Sequence, residues 1–397
     1  MILVVGAGAA GLTAAIFAAS GGHDVLVIER TTDGGRKILI SGGGRCNVLP
    51  SVLAPERFVT SSPAHLMRGM LRSWPLMQQR EFFERDLAIP LALEADSGKL
   101  FPASNRARDI RDALVGAARR HNVRFQFDTS LTSLTAVDGA WSVATTRGAL
   151  AAARVILATG GLSVPATGSN GDGLQLAESL GHRMHARYPA LTPLLSQPAV
   201  HAGLSGVSLT VRLRAKSARR TLETSGGFLF THRGYSGPAV LDVSHVAVRD
   251  RDATIRAQWT TVNAAEWERL LTGATGLVAT VVSARLPQRL ATQLIDEAGI
   301  PPDRRSTELR RSERIALIDR LTAYPLPWTG DEGFKKAEVT GGGVALDEVN
   351  AQTLESLHHP GLHLCGEMLD AFGPIGGHNF AWAWATGRLA GLGAASV

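Results

Sequence analysis

The sequence predicts an α/β fold in which a discontinuous, Rossmann-like nucleotide-binding domain carries an inserted antiparallel β-barrel and a helical subdomain. Three observations predict it. The first thirty residues read as strand, glycine turn, helix and strand; alternating apolar and polar residues begin near Pro189; a glycine-rich style resumes from about Glu338. The boundaries that follow are 1–188 and 337–397 for the nucleotide domain, 189–262 and 324–336 for the barrel, and 263–323 for the helical part. At 397 residues the chain is long enough for this division and for a sizeable core.

The opening run Ile2 to Val5 is apolar without interruption, as suits a parallel strand buried on both faces. Gly6-Ala7-Gly8-Ala9-Ala10-Gly11 then matches G-x-G-x-x-G. Gly6 permits the turn, Gly8 lets backbone approach a pyrophosphate, and Gly11 lets helix and strand pack closely. The helix start offers free N–H groups and a partial positive charge to phosphates. The next strand, "DVLVIE", ends in Glu29, 18 residues after Gly11, close to the spacing of a carboxylate that holds ribose hydroxyls. An acid there disfavours a 2′-phosphate, so the turn suits FAD or NAD over NADP.

Residues 64–90 read as mostly helical, and 104–121 as a helix with Ser104 or Asn105 as N-cap. "VRFQF", "LTSLTAV", "AWSVATT" and "AAARVILATGG" follow as short strands. The last of these ends in Thr159-Gly160-Gly161, small enough to pass under a nucleotide, or equally a plain strand-to-loop turn. In the insertion, "PALTPLL", "GLSGVSLTVRLRA", "ARRTLETSGGFLFTH" and "AVLDVS" alternate like antiparallel strands, and 264–323 reads as helical with an arginine-rich outer face.

Composition narrows the function classes. Hydrophobic residues at 45% and charged residues at 19% exclude a fibrous or disordered chain. Two distant cysteines, Cys46 and Cys365, exclude a disulfide framework and point to a reducing, cytoplasmic setting. Neither a C-x-x-C pair nor a His/Cys/Asp cluster is present, so no metal site is expected. The apolar amino terminus lacks a basic lead and is broken by glycines, and no later stretch reaches about 18 uninterrupted apolar residues, so no membrane span is expected. The net charge of +6 lies entirely in residues 189–336, which hold 20 Lys/Arg against 14 Asp/Glu, while the remainder holds 21 of each. That asymmetry points to an anionic partner at the insertion, with "VRLRAKSARR" as the patch, or to an arginine-rich solvated surface.

Three further stretches carry candidate chemistry. "SGGGRCN" places Arg45 beside Cys46, where a cation lowers a thiol's pKa, so both are catalytic candidates; the alternative is that Cys46 is only a small side chain that fits. "FTHRGYSGP" sets His232, Arg233 and Tyr235 as donor, cation and stacking ring for a substrate, or forms a solvated turn. "GLHLCGEMLDAFGPIGGHNFAWAWATG" reads as a strand with a small buried Cys365, then Gly366-Glu367, then Asp370 as a candidate binding acid. Gly376-Gly377 open a helix on which Phe380 and Trp384 fall at i, i+4 and pack inward. Its amino end offers backbone N–H groups and a positive dipole to an anionic group.

Together "GAGAAGL", "GRKILISGGGRCN", "ATGGLSVPATGSNGDG", "FTHRGYSGPAVLDVS" and "GEMLDAFGPIGGHNFAWAWATG" resemble the HI0933-like, or BaiN-like, flavoprotein family over nearly the whole chain. The resemblance implies FAD, held by Gly6–Gly11, Glu29, Arg30, Arg36, Lys37, Ser41, Gly42, Gly43, Gly44, Asn47, Leu131, Thr159–Gly161, Gly366, Glu367, Asp370 and Gly376–Phe380, Asn379 included. Relatives usually carry Tyr where this chain has His378, so backbone contacts rather than a catalytic imidazole are expected there. The implied reaction is NAD(P)H-driven reduction of an activated C=C; no second complete G-x-G-x-x-G is present, so nicotinamide docks transiently or a different reductant serves. The implied substrates are an RNA-linked uracil or a small enone acid. A flavin-bearing sensor without turnover, or a flavin dehydrogenase or oxidase of a small molecule, remain as alternatives.

Overall fold

A computed structural model describes residues 1–396 and divides them into two units, 1–188 with 338–396, and Pro189–Ala337. In chain order the first unit opens with β1 (Ile2–Val5), α1 (Ala9–Ala19), β2 (Val25–Ile28) and α2 (Arg36–Ile40). It continues with α3 (Ala107–Arg120), β3 (Arg124–Gln126) and β4 (Arg154–Leu157). The second unit holds β5 (Ser208–Lys216), β6 (Thr221–Phe230), α4 (Pro238–Arg249) and β7 (Thr254–Gln258). The chain then returns to the first unit for β8 (Leu362–Leu364) and α5 (His378–Ala395).

Five parallel strands in the order β8-β4-β1-β2-β3 form the centre of the first unit. Their register is set by pairs such as Ile2↔Val25, Ile2↔Arg154, Val155↔Leu362 and Leu26↔Arg124. Every residue of β1 and β2 is buried, because helices cover both faces of a parallel sheet. α5 packs along α1 and is tied down by its indoles: Trp382 Nε1 donates to the Gly366 carbonyl at 3.0 Å and Trp384 Nε1 to the Val48 carbonyl at 3.1 Å. A three-stranded meander (131–137, 140–145, 148–152) and a small sheet (49–50, 91–94, 99–102) complete this unit.

The stretch 64–90 resolves into helices Ala64–Arg72 and Leu76–Glu81, followed by a π-helical turn Phe82–Asp86. α3 begins at Ala107 without the expected side-chain cap. Asn105 takes a left-handed φ of 54°, and the Ser104 hydroxyl accepts only from the Arg106 N–H at 3.3 Å, so neither residue reaches the helix.

The second unit has its own core around Phe228, Phe230, Tyr235, Trp259 and Tyr324. Where a barrel is expected, the strands form a seven-stranded antiparallel sheet whose edges are strands 324–325 and 330–331. In β5, Val211, Leu213 and Ala215 are buried while Arg212, Arg214 and Lys216 face outward, the period of a half-buried strand. "AVLDVS", expected as a strand, lies instead in α4. Ala239, Val240, Val243, Val246 and Ala247 line its buried face at i, i+1, i+4, i+7 and i+8, a helical spacing that a six-residue window cuts short. Pro238 in the first turn decides the matter, because a missing N–H costs nothing there. Helices Ala264–Gly273, Val278–Ser283, Gln288–Glu297 and Arg311–Thr322 form the helical part.

Candidate cofactor site

At the carboxyl end of β1 the chain turns through Gly6, whose φ of 103° suits glycine, and its N–H donates to the Ile28 carbonyl at 2.8 Å. A Cβ on Gly11 would lie 1.9 Å from the Gly6 carbonyl oxygen, so only glycine lets α1 pack down on the turn, while Gly8 faces open space. α1 starts with no side-chain cap and no acid in its first turn, leaving Ala9, Ala10 and Gly11 at an unneutralised positive end. Glu29 closes the turn: one carboxylate oxygen accepts from the Ala7 N–H at 2.8 Å, the other from the Thr31 N–H and hydroxyl at 2.9 and 2.8 Å. The group is half-buried, and a carboxylate offers about four acceptor positions, which leaves capacity for a ribose hydroxyl.

Neighbouring candidates divide. Leu131 is half-buried at the start of its strand, and the adjacent Thr129 N–H donates to the Glu29 carbonyl at 2.8 Å. Arg30 pairs with Asp172 at 3.0 Å, and Arg36 with Asp33 at 2.8 Å. The Arg36 hydrogen bond holds the Asp33 carboxyl below its ordinary range, assisted by Arg111.

The loop after α2 presents Gly42, Gly43 and Gly44 in the left-handed region, with φ of 56°, 68° and 86°, all three exposed. Such a run of bare main chain is a surface for a flat ligand. With its amide oriented to satisfy both neighbours, Asn47 donates to the Leu49 carbonyl at 3.3 Å and accepts from the Gly377 N–H at 3.1 Å, joining this loop to the start of α5. The Ser41 carbonyl accepts from the Cys46 N–H at 3.0 Å.

Here the thiol expectation is corrected. Cys46 is fully buried in the core, and burial pushes its pKa up to about 12. Arg45 does not act on it: the guanidinium pairs with Glu94 at 2.9 Å and lies 4.1 Å over the Phe101 ring. Neighbouring side chains on a tight loop diverge, and these two point to different surroundings. Cys46 is therefore neither a thiolate nor an acid of useful strength. Cys365 is likewise buried and pushed up to about 12.

At the ends of β4 and β8 the Thr159 hydroxyl meets Met368 Sδ at 3.2 Å, and the Gly366 N–H donates to the Thr386 hydroxyl at 3.0 Å. Glu367 pairs with Lys37 at 2.7 Å and accepts from the Ser163 hydroxyl and from the Thr340 N–H at 2.9 Å. Asp370 Oδ2 accepts from the Thr60 hydroxyl, the Ser61 and Ser62 N–H groups and the Ser62 hydroxyl at 2.7–3.0 Å, so one oxygen of the acid clamps segment 60–62. Asn379 pins Gly373 in both directions, donating to its carbonyl at 3.0 Å and accepting its N–H at 2.8 Å. Phe380 stacks on Trp384 with centroids 5.3 Å apart. His378 is buried against Phe58, and desolvation with the Arg57 charge lowers its pKa to about 4, so it stays neutral.

In the second unit His232 and Arg233 are exposed on a turn, with Arg233 3.6 Å from Glu332. Tyr235 is fully buried, its hydroxyl 2.8 Å from His201 Nδ1, so the expected stacking ring is a core residue. The basic patch forms a face: Arg212, Arg214 and Lys216 share the outer side of β5, with Arg256 opposite Arg214 on β7 and Glu223 opposite it on β6. Glu223 pairs with Arg212 at 2.6 Å, and Arg219 and Arg220 are exposed in the turn that joins β5 to β6.

Among the described residues no group of His, Cys, Asp and Glu is arranged to hold a metal ion, and no helix is long and apolar enough to cross a membrane. The uncapped start of α1, the half-buried acid beside it, and the bare glycine loop fit a dinucleotide laid across the carboxyl ends of the parallel strands. Ser163, Thr340 and the Thr60–Ser62 turn are components that sequence reading missed, since their partners lie far away in the chain.

Comparison with known proteins agrees with this geometry. A family model described as the HI0933-like protein Rossmann domain matches residues 1–393. The chain is 31% identical over 396 residues to a ribosomal RNA dihydrouridine synthase of Escherichia coli strain K12, covering 97% of this chain and 95% of that protein. It is 30% identical over 405 residues to a 3-dehydro-bile acid delta(4,6)-reductase of Clostridium scindens, covering 99% and 98% respectively. Among solved structures, the 3-ketosteroid-delta4-(5alpha)-dehydrogenase of Rhodococcus jostii RHA1 shares the fold at TM-score 0.54 and 17% identity, covering 100% of this chain and 96% of that one.

Proposed function

The chain belongs to the HI0933-like family and is an FAD-dependent oxidoreductase, and from that premise we propose that it reduces an activated carbon–carbon double bond with electrons from NAD(P)H. The observation that carries the reading is that relatives similar over nearly the full chain are named for saturating such a bond, in uridine of ribosomal RNA or in a bile acid. In the overall reaction the alkene gains a hydride at one carbon and a proton at the other, and NAD(P)H becomes NAD(P)+. FAD supplies, when bound, the site that accepts a hydride from nicotinamide and delivers one to the alkene.

The chain's own residues hold and orient. The start of α1 binds the diphosphate, Glu29 the ribose, and the exposed main chain of Gly42–Gly44 offers N–H groups to the ring. With Cys46 buried and protonated, the alkene's proton comes from solvent or from a group on the substrate side.

Of the two substrate classes we favour an RNA-linked uracil, which would place the protein in the cytoplasm. Its support is the outer face of β5, where Arg212, Arg214 and Lys216 stand in one row with Arg256 beside them. Phosphate contacts from such a row are salt-sensitive, so changing Arg214 and Lys216 to Glu should weaken binding of ribosomal RNA fragments and flatten the log K against log salt slope by about 1.5. The decisive experiment is anaerobic bleaching of the flavin by NADH or NADPH, followed by reoxidation with a uridine-containing rRNA fragment or with a conjugated enone acid. Reoxidation by the enone alone would transfer the assignment to small molecules. Absence of bleaching by either nucleotide would leave a flavin-binding sensor, and rapid reoxidation by oxygen with peroxide release would indicate an oxidase.

A further inference from the structure

We infer that Lys37 is the cation that stabilises the reduced ring of the bound flavin, and that Glu367 is the residue that positions it. The inference rests on the FAD reading above. It begins with strand order. Glu29 stands at the end of β2 and the glycine turn at the end of β1, so a dinucleotide with its ribose at the first and its diphosphate at the second continues toward the ends of β4 and β8. The flavin half therefore lies on that side of the turn.

Lys37 reaches this side from α2. Its Nζ donates to the Ser163 hydroxyl, beyond the end of β4, at 2.8 Å and to Glu367 Oε2, beyond the end of β8, at 2.7 Å. Glu367 Oε1 is occupied by the Ser163 hydroxyl and the Thr340 N–H. Both oxygens of the acid are thus committed within the protein, whereas an ammonium carries three N–H groups and only two of them meet these acceptors. The lysine is also the more open partner, with 27% of its side chain exposed against 15% for the glutamate. The arrangement presents a cation outward and keeps the anion behind it.

Burial by itself would raise the Glu367 pKa, but the Lys37 charge, with the Lys37, Ser163 and Thr340 hydrogen bonds, holds it below the ordinary range. The glutamate is therefore ionised at neutral pH. Reduction places negative charge on the ring, and a cation in a site of lowered dielectric favours that form over the neutral oxidised one.

The test is the two-electron midpoint potential of FAD-loaded protein near neutral pH, for wild type, Lys37→Met, Lys37→Arg and Glu367→Gln. Loss of the cation in Lys37→Met should weaken holding of reduced relative to oxidised flavin at least tenfold, a midpoint about 30 mV more negative. Lys37→Arg should stay near wild type, and Glu367→Gln should move to a more positive value. A Lys37→Met protein that keeps FAD at the wild-type midpoint overturns the inference, because a purely structural lysine would change affinity for both forms equally. If Lys37→Met retains no flavin, the other two variants decide, and a common midpoint for Glu367→Gln, Lys37→Arg and wild type overturns it. Failure of wild type to bind FAD at all would instead sink the FAD reading, before any variant is compared.

Discussion

His245 gives a stability prediction whose size follows from its surroundings. It lies in α4, 3% exposed, with Nδ1 3.0 Å from the Asp242 carbonyl. Burial, reinforced by the charges of Arg220 and Arg249, lowers its pKa to about 3. In the unfolded chain an imidazole titrates near its ordinary value of about 6.5. The folded pKa is depressed, so the contribution is fully present above about pH 6.5 and is lost as pH falls toward 3. Between about pH 6.5 and 4.5 the unfolded chain takes up a proton that the native state refuses, at about 1.36 kcal/mol per pH unit, or about 2.7 kcal/mol in all. Urea unfolding of wild type and His245→Leu at about pH 7 and 4.5 isolates this quantity, because carboxylates common to both proteins cancel in the double difference. The transition that moves on substitution at neutral pH identifies the unit containing residue 245. His245→Leu should lose about 2.7 kcal/mol less than wild type on acidification. Equal losses in the two proteins would refute a neutral, buried imidazole.

Gly11→Ala places a Cβ 1.9 Å from the Gly6 carbonyl oxygen, so α1 must part from the turn. FAD retained through gel filtration should fall at least about 100-fold, with about 2 kcal/mol of stability lost. Cys46→Ala should leave the rates of both half-reactions unchanged in stopped flow while costing about 1–2 kcal/mol in denaturant melts, since it only opens a small space in the core. Native protein should also resist Ellman's reagent, both thiols being buried. Tyr235→Phe removes the hydroxyl beside His201 and should cost about 1–2 kcal/mol without moving KM; a raised KM would return Tyr235 to the substrate.

What could be read from the sequence was local. The turn Gly6–Gly11 and Glu29 form one strand–helix–strand unit, and their chemistry needs no distant partner. The same holds for the Phe380–Trp384 pair on one helix. The misreadings share the opposite property. Adjacency of Arg45 and Cys46 suggested an activated thiol, but side-chain direction on a left-handed loop sends one to Glu94 and the other into the core. The clamp of Asp370 on the turn at Thr60–Ser62, some 310 positions earlier, is likewise out of reach of a local reading. "AVLDVS" is too short a window to show the helical spacing, which appears only over the longer run of α4.

The first unit surrounds the second in the chain, and this has a consequence for biosynthesis. On the ribosome, β4 is made with one edge bare, because its partner β8 and the helix α5 that packs on α1 emerge only after the whole second unit. The second unit is contiguous and has its own core, so it is free to fold while its frame waits incomplete. An open parallel edge during that interval invites mispairing. Flavin incorporation would then report that β8 and α5 have joined the frame.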